Sequence, residues 1–103
     1  MVHDIEKRLG SIDILVNNAG MAAVRGLDDT TEEDFDRTIA VNLTSAFLCT
    51  QAVLPGMRTR HWGRVVNISS VGARIGSGSV SVAYGASKAG LEGLTRSYAL
   101  PLA

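Results

Sequence analysis

Apolar residues in this chain alternate between short unbroken runs and longer stretches of helical period. Ile12 to Val16 is apolar apart from Asp13 and is closed by Asn17-Asn18, while Arg64 to Ser70 carries Val65, Val66 and Ile68 ahead of Ser69-Ser70. Runs of that length, closed by polar residues, predict parallel strands buried on both faces. Between them Phe35, Ile39, Leu43 and Phe47 recur every four residues, with Val41, Leu48 and Leu54 widening the stripe, so a long helix is predicted with this face inward. Thr30 followed by Glu33 has the form of a capping box, which places the helix start there. Pro55-Gly56 is expected to kink or weaken the helix, and the polar Arg58, Arg60 and His61 precede Trp62-Gly63.

Val82 to Leu100 is dominated by helix formers, and Pro101 is expected to stop that element. His3 to Leu9, ended by Gly10-Ser11, reads as the tail of a helix whose beginning lies elsewhere. Residues 19–29 are expected to be loop. So is Val71 to Ser81, whose glycines and serines let a backbone lie close to a ligand.

Strand, helix, strand, helix is the order of an α/β fold with a right-handed crossover. The 103 residues suffice for one small domain, here a single partial Rossmann-like unit over 1–103 without internal repeats. Two parallel strands leave both sheet edges open, so the unit reads as part of a larger sheet.

Charge and composition narrow the partners. Ten basic and ten acidic residues cancel, which argues against a nucleic-acid surface and for a small neutral ligand or a protein. A single cysteine, Cys49, permits no internal disulfide, and no charged segment followed by an apolar one opens the chain, so the expected compartment is the cytoplasm. No apolar run approaches the ~20 residues needed to cross a bilayer. His3 and His61 lack ligand-spaced partners, so no metal is expected.

Tyr84 and Lys88, four apart on a predicted helix, share one face. An ammonium beside a phenol stabilises the phenolate, which would let Tyr84 give or take a proton at a carbonyl or alcohol oxygen. The same pair also reads as an amphipathic helix residue beside an extended lysine. Ser69-Ser70 end a strand, where ligands bind in open α/β sheets, and a hydroxyl there can hold a substrate oxygen; the alternative is a pair of turn formers. Asn42 interrupts the apolar stripe, and a buried amide needs partners, whether functional or purely structural. Asn17-Asn18-Ala19-Gly20, small or amide residues just after a strand, let the backbone approach a ligand closely.

Together, Asp13 through Gly20, Val41-Asn42-Leu43, Ser69-Ser70 and Tyr84-x-x-x-Lys88 resemble the short-chain dehydrogenase/reductase family. The resemblance covers essentially the whole chain, yet the glycine-rich phosphate-binding turn and the later substrate loop of that family are not in this sequence. It implies hydride transfer between NAD or NADP and a carbonyl or alcohol substrate, possible classes including 3-oxoacyl thioesters, sugars or polyols, and steroids. By the same resemblance Tyr84 is the acid/base, Lys88 holds the nicotinamide ribose, Ser70 orients the carbonyl, and Asn42 supports a water-linked proton relay. Asn17, Ala19, Gly20 and Val41, with Tyr84 and Lys88, are the implied cofactor contacts. Ser70 stands 14 positions before Tyr84, one more than the family usually shows, which bears on pocket shape. A homodimer or homotetramer is implied through helices around 31–54 and 82–100. The other class of function is a shortened, non-catalytic module that keeps these helices and only dimerises.

Overall fold

The computed structural model describes residues 1–22, 26–70 and 82–102. The Gly/Ser loop expected at 71–81 lies outside the described residues. Helix α1 (Val2–Leu9) ends at Gly10, whose φ of 93° lies in the left-handed region that a side chain resists, and whose N–H donates to the Glu6 carbonyl at 3.0 Å. Strand β1 (Ile14–Asn17) pairs in parallel with β2 (Arg64–Asn67), Ile14 opposite Arg64 and Asn17 opposite Asn67. A short 3-10 turn (Leu27–Asp29), α2 (Glu32–Ile39), a π-helical turn (Ala40–Thr44) and α3 (Ser45–Arg60) link the strands, and α4 (Val82–Leu102) follows them. The element order makes this a partial Rossmann-like α/β segment.

Several local expectations shift. The ladder of β1 begins two residues later than Ile12, whose carbonyl accepts from the Arg60 guanidinium at 2.7 Å. The capping box lies one residue later than Thr30/Glu33. Thr31 Oγ1 accepts from the Asp34 N–H at 3.0 Å and Asp34 Oδ2 accepts from the Thr31 N–H at 3.2 Å, while the Thr30 hydroxyl donates to the Gly26 carbonyl. Pro55 lies within α3, which continues to Arg60, and α4 runs past Pro101 to Leu102.

The inward face of the long helix also differs from the predicted stripe. Its buried residues are Thr38, Asn42, Ala46, Thr50, Val53 and Met57, whereas Phe35, Phe47 and Leu48 are exposed. The buried series runs one position ahead of the apolar one, a rotation of about 100° around the axis. Small residues suit this inner face because α4 comes close. Ala46 on α3 and Ala83 and Ser87 on α4 are fully enclosed, and a Cβ on Gly90 would stand 2.8 Å from Leu43 Cδ2.

Residues 32–60 form one helical stretch long and apolar enough, by length and composition, to cross a membrane, which the sequence reading did not anticipate. The core helix of an α/β layer has the same character. Here Val53 and Met57 pack with Val2 of α1 against Ile12, Leu15 and Val65, forming the core.

All of the described helices that pack on the sheet lie on this one face, where Leu15, Asn17, Val65 and Asn67 are half-buried. On the opposite face Ile14 is 57% exposed, Val16 53%, Val66 44% and Ile68, just beyond β2, 40%. The expectation of strands buried on both faces is therefore corrected: among the described residues nothing covers this side.

Candidate active site

The site forms at the carboxyl ends of β1 and β2, where α4 crosses them. Lys88 is only 4% exposed, and its Nζ donates to the Ile68 carbonyl at 2.9 Å. The same Nζ lies 5.9 Å from the centroid of the Tyr84 ring, one turn earlier on α4. An ammonium carries three donors and burying it unpaired is costly, yet among the described residues Ile68 is its one hydrogen-bond acceptor.

Asn42 reaches this cluster from the π-helical turn. The widened turn sends the Ser45 N–H back five residues to the Ala40 carbonyl, and the Ser45 hydroxyl takes the Val41 carbonyl that the amide has passed over. Asn42, 1% exposed, receives the Met21 N–H at Oδ1 (2.8 Å) and donates from Nδ2 to the Met21 carbonyl (2.9 Å) and to Ser87 Oγ (3.0 Å). Ser87 Oγ in turn donates to the Tyr84 carbonyl at 2.7 Å. The amide thus ties the loop after β1 to the helix that bears Tyr84 and Lys88. Between them Gly20 leaves room: a Cβ there would stand 3.4 Å from Lys88 Nζ and 3.7 Å from Asn42 Oδ1.

The residues singled out in the sequence are thus placed unequally. Asn42, Tyr84, Lys88 and Gly20 converge. Ser70 stands at the end of the β2 segment, half-buried, next to Ser69, whose hydroxyl engages α4. Ala19 is exposed at the β1 terminus, and Val41 is half-buried in the π-helical turn. The Asn17 side chain is turned the other way, toward the helix layer, donating to Asn67 Oδ1 at 2.8 Å and Thr50 Oγ1 at 3.4 Å. Asn67 continues that ladder to Thr95 Oγ1 at 2.9 Å.

Ser87, Glu92 and Asn67 were not picked out in the sequence. A signal existed for two of them. Ser87 lies three residues after Tyr84 and so on its helical face, and Asn67 closes β2 as Asn17 closes β1. Cys49 is half-buried in α3, and among the described residues no three His, Cys, Asp or Glu side chains cluster as metal ligands would.

A family model described as short chain dehydrogenase matches residues 1–103, and the chain belongs to that family. A D-beta-hydroxybutyrate dehydrogenase of Cupriavidus necator is 43% identical over the whole chain, which spans 40% of that relative. An acetoacetyl-CoA reductase of the same organism is 41% identical over 96% of the chain and 40% of the relative. A D-xylose 1-dehydrogenase of Caulobacter vibrioides is 44% identical over 91% of the chain and 38% of the relative. The chain therefore spans about two-fifths of the length of these curated relatives.

Proposed function

We propose that this chain carries the proton-transfer half of an NAD(P)-dependent oxidoreductase acting on a carbonyl or alcohol. The observation that carries the reading is the enclosed Lys88 ammonium, set between the Tyr84 ring and the end of β2, with Gly20 beside it. These residues fit a nicotinamide nucleoside: Lys88 has donor capacity for ribose hydroxyls, and Gly20 and Ala19 let the sugar approach the backbone. The cofactor, when bound, supplies the hydride chemistry.

Tyr84 then gives its phenolic proton to the substrate oxygen in reduction and takes it back in oxidation. The Lys88 ammonium, 5.9 Å from the ring centroid, stays beside the phenol throughout that exchange. Ser70 directs the carbonyl by hydrogen bonding. Asn42 acts by holding the Met21 loop and the Tyr84 helix in one arrangement, because its side-chain amide is already engaged by protein partners; any contribution to a proton relay is through that positioning. Asn17, its side chain occupied by Asn67 and Thr50, would meet the cofactor through its backbone, and Val41 would lie toward the adenosine side.

The favoured substrate class is a short 3-hydroxy or 3-oxo acid or its thioester, as in the names of two relatives above. The exposed Phe35, Phe47 and Leu48 favour a homodimer or homotetramer through the helices around 31–54 and 82–100. The test is turnover and nicotinamide binding by the purified protein carrying this chain, with NAD and NADP each offered 3-hydroxybutyrate, acetoacetyl-CoA and D-xylose. Wild-type turnover with retained cofactor binding but loss of activity in Tyr84→Phe is expected. Full activity in that variant removes Tyr84 from its role, and absence of nicotinamide binding in wild type leaves the dimerising module as the better reading.

A further inference from the structure

The carboxyl end of β2 is gripped by α4 at two successive residues. Lys88 Nζ donates to the Ile68 carbonyl at 2.9 Å, and one turn later Glu92 Oε2 accepts the Ser69 hydroxyl at 2.9 Å. Ser69 Oγ also lies 3.3 Å from the Lys88 carbonyl, but a hydroxyl has one proton and the carboxylate is both nearer and the stronger acceptor. Lys88 and Glu92 are four residues apart, so both side chains project from the same side of α4 toward the strand end. The Ile68 N–H already bonds the Asn17 carbonyl of the neighbouring strand at 3.0 Å, so the two contacts from α4 add a main-chain and a side-chain hold to an end that the sheet keeps in register.

We propose that Glu92 is a positioning residue for the adjacent serine: by holding Ser69 it makes Ser69 the anchor and sets where Ser70 presents its hydroxyl to the substrate oxygen. This rests on the oxidoreductase reading above and goes beyond it by assigning different work to the two serines. Without the carboxylate, Ser69 keeps only the longer contact to the Lys88 carbonyl, and its hydroxyl is less firmly directed one residue, about 3.3 Å of chain, away from the one meant to hold the carbonyl. A displacement of about 1 Å in such a contact is enough to slow hydride transfer substantially. The effect is therefore expected in turnover and in the carbonyl substrate's KM. It is not expected in cofactor affinity, because Lys88 keeps its own hold on Ile68.

The test compares Glu92→Ala, Glu92→Gln, Ser69→Ala and the double variant Ser69→Ala/Glu92→Ala in the protein carrying this chain. Readouts are kcat and KM for the carbonyl substrate, nicotinamide Kd by fluorescence, and Tm. Glu92→Ala should lower kcat/KM on the order of 10-fold with cofactor Kd unchanged. Glu92→Gln, which keeps an acceptor oxygen, should recover most of that loss, and the double variant should be no worse than the more affected single one. Wild-type kcat/KM in Glu92→Ala, additive losses in the double variant, or a loss of cofactor affinity in step with Tm would each overturn the positioning role while leaving the oxidoreductase reading intact. A wild-type protein that neither binds a nicotinamide cofactor nor turns over a carbonyl would overturn both.

Discussion

Asn42 and Ser87, 45 positions apart in sequence, meet through a 3.0 Å hydrogen bond with both residues closed off from solvent. Because Asn42 also clasps both main-chain groups of Met21, its removal strands a donor and two acceptors rather than one. Asn42→Ala should therefore lower the unfolding free energy by about 2–3 kcal/mol, the penalty of unsatisfied buried groups, measured by urea denaturation. A loss under about 0.5 kcal/mol would mean that water readily replaces the amide.

Lys88 presents the opposite case. Its enclosed charge has one carbonyl acceptor among the described residues, an arrangement that costs stability and that the proposed cofactor role would explain. Lys88→Met, similar in reach and uncharged, should leave the unfolding free energy unchanged or raise it by about 1 kcal/mol while abolishing nicotinamide binding. A marked fall in stability with binding retained would reverse that assignment.

Gly63 matters for space. A Cβ there would lie 2.4 Å from Met57 Sδ and 2.9 Å from Met57 Cβ, so moving the tip of the methionine does not relieve the collision. Gly63→Ala should destabilise the chain by about 1–3 kcal/mol through overpacking, seen as a lower thermal midpoint. An unchanged midpoint would show that the turn between α3 and β2 has slack.

Tyr98 gives a pH dependence with a definite sign. Its hydroxyl donates to Gln51 Oε1 at 2.6 Å, joining α4 to α3, and burial holds its pKa above the ordinary tyrosine value of 10.0. The unfolded chain therefore ionises first. The stabilising contribution of Tyr98 is complete below that ordinary value and is lost as pH rises through the folded-state value. Tyr98→Phe should be less stable than wild type at pH 8, and the gap should narrow at more alkaline pH, as thermal melts across that range would report. A gap constant with pH would contradict the partial desolvation of the half-buried phenol.

The elements themselves were legible because strands and helices are set by local apolar periodicity, which Ile12 to Val16, the 35–54 stripe and Val65 to Ile68 display plainly. The inward face of the long helix was not. Periodicity identifies a buried face only when that face is apolar, and here Thr38, Asn42 and Thr50 occupy it. Thr38 satisfies its hydroxyl within its own helix, on the Asp34 carbonyl, while Asn42 depends on partners 21 and 45 positions away. The capping register was ambiguous for a simpler reason: Thr30 and Thr31 both have an acid three residues on, and the competing Gly26 carbonyl decides between them. Tyr84, Lys88 and Gly20 were readable as motif members. Ser87 shared the helical face of Tyr84 and so was within reach of the sequence, whereas Glu92 required the tertiary contact that gives it a task.

The flank formed by Ile14, Val16 and Val66, with Ile68 just past β2, belongs to the same two strands that lead into the segments carrying Gly20 and Ser69. In solution this greasy side should light up an apolar-sensitive dye and encourage clumping until some matching surface shields it. Since Gly20 and Ser69 follow the ends of β1 and β2 by only a few residues, whatever does the shielding will also quiet the jostling of the groups clustered there.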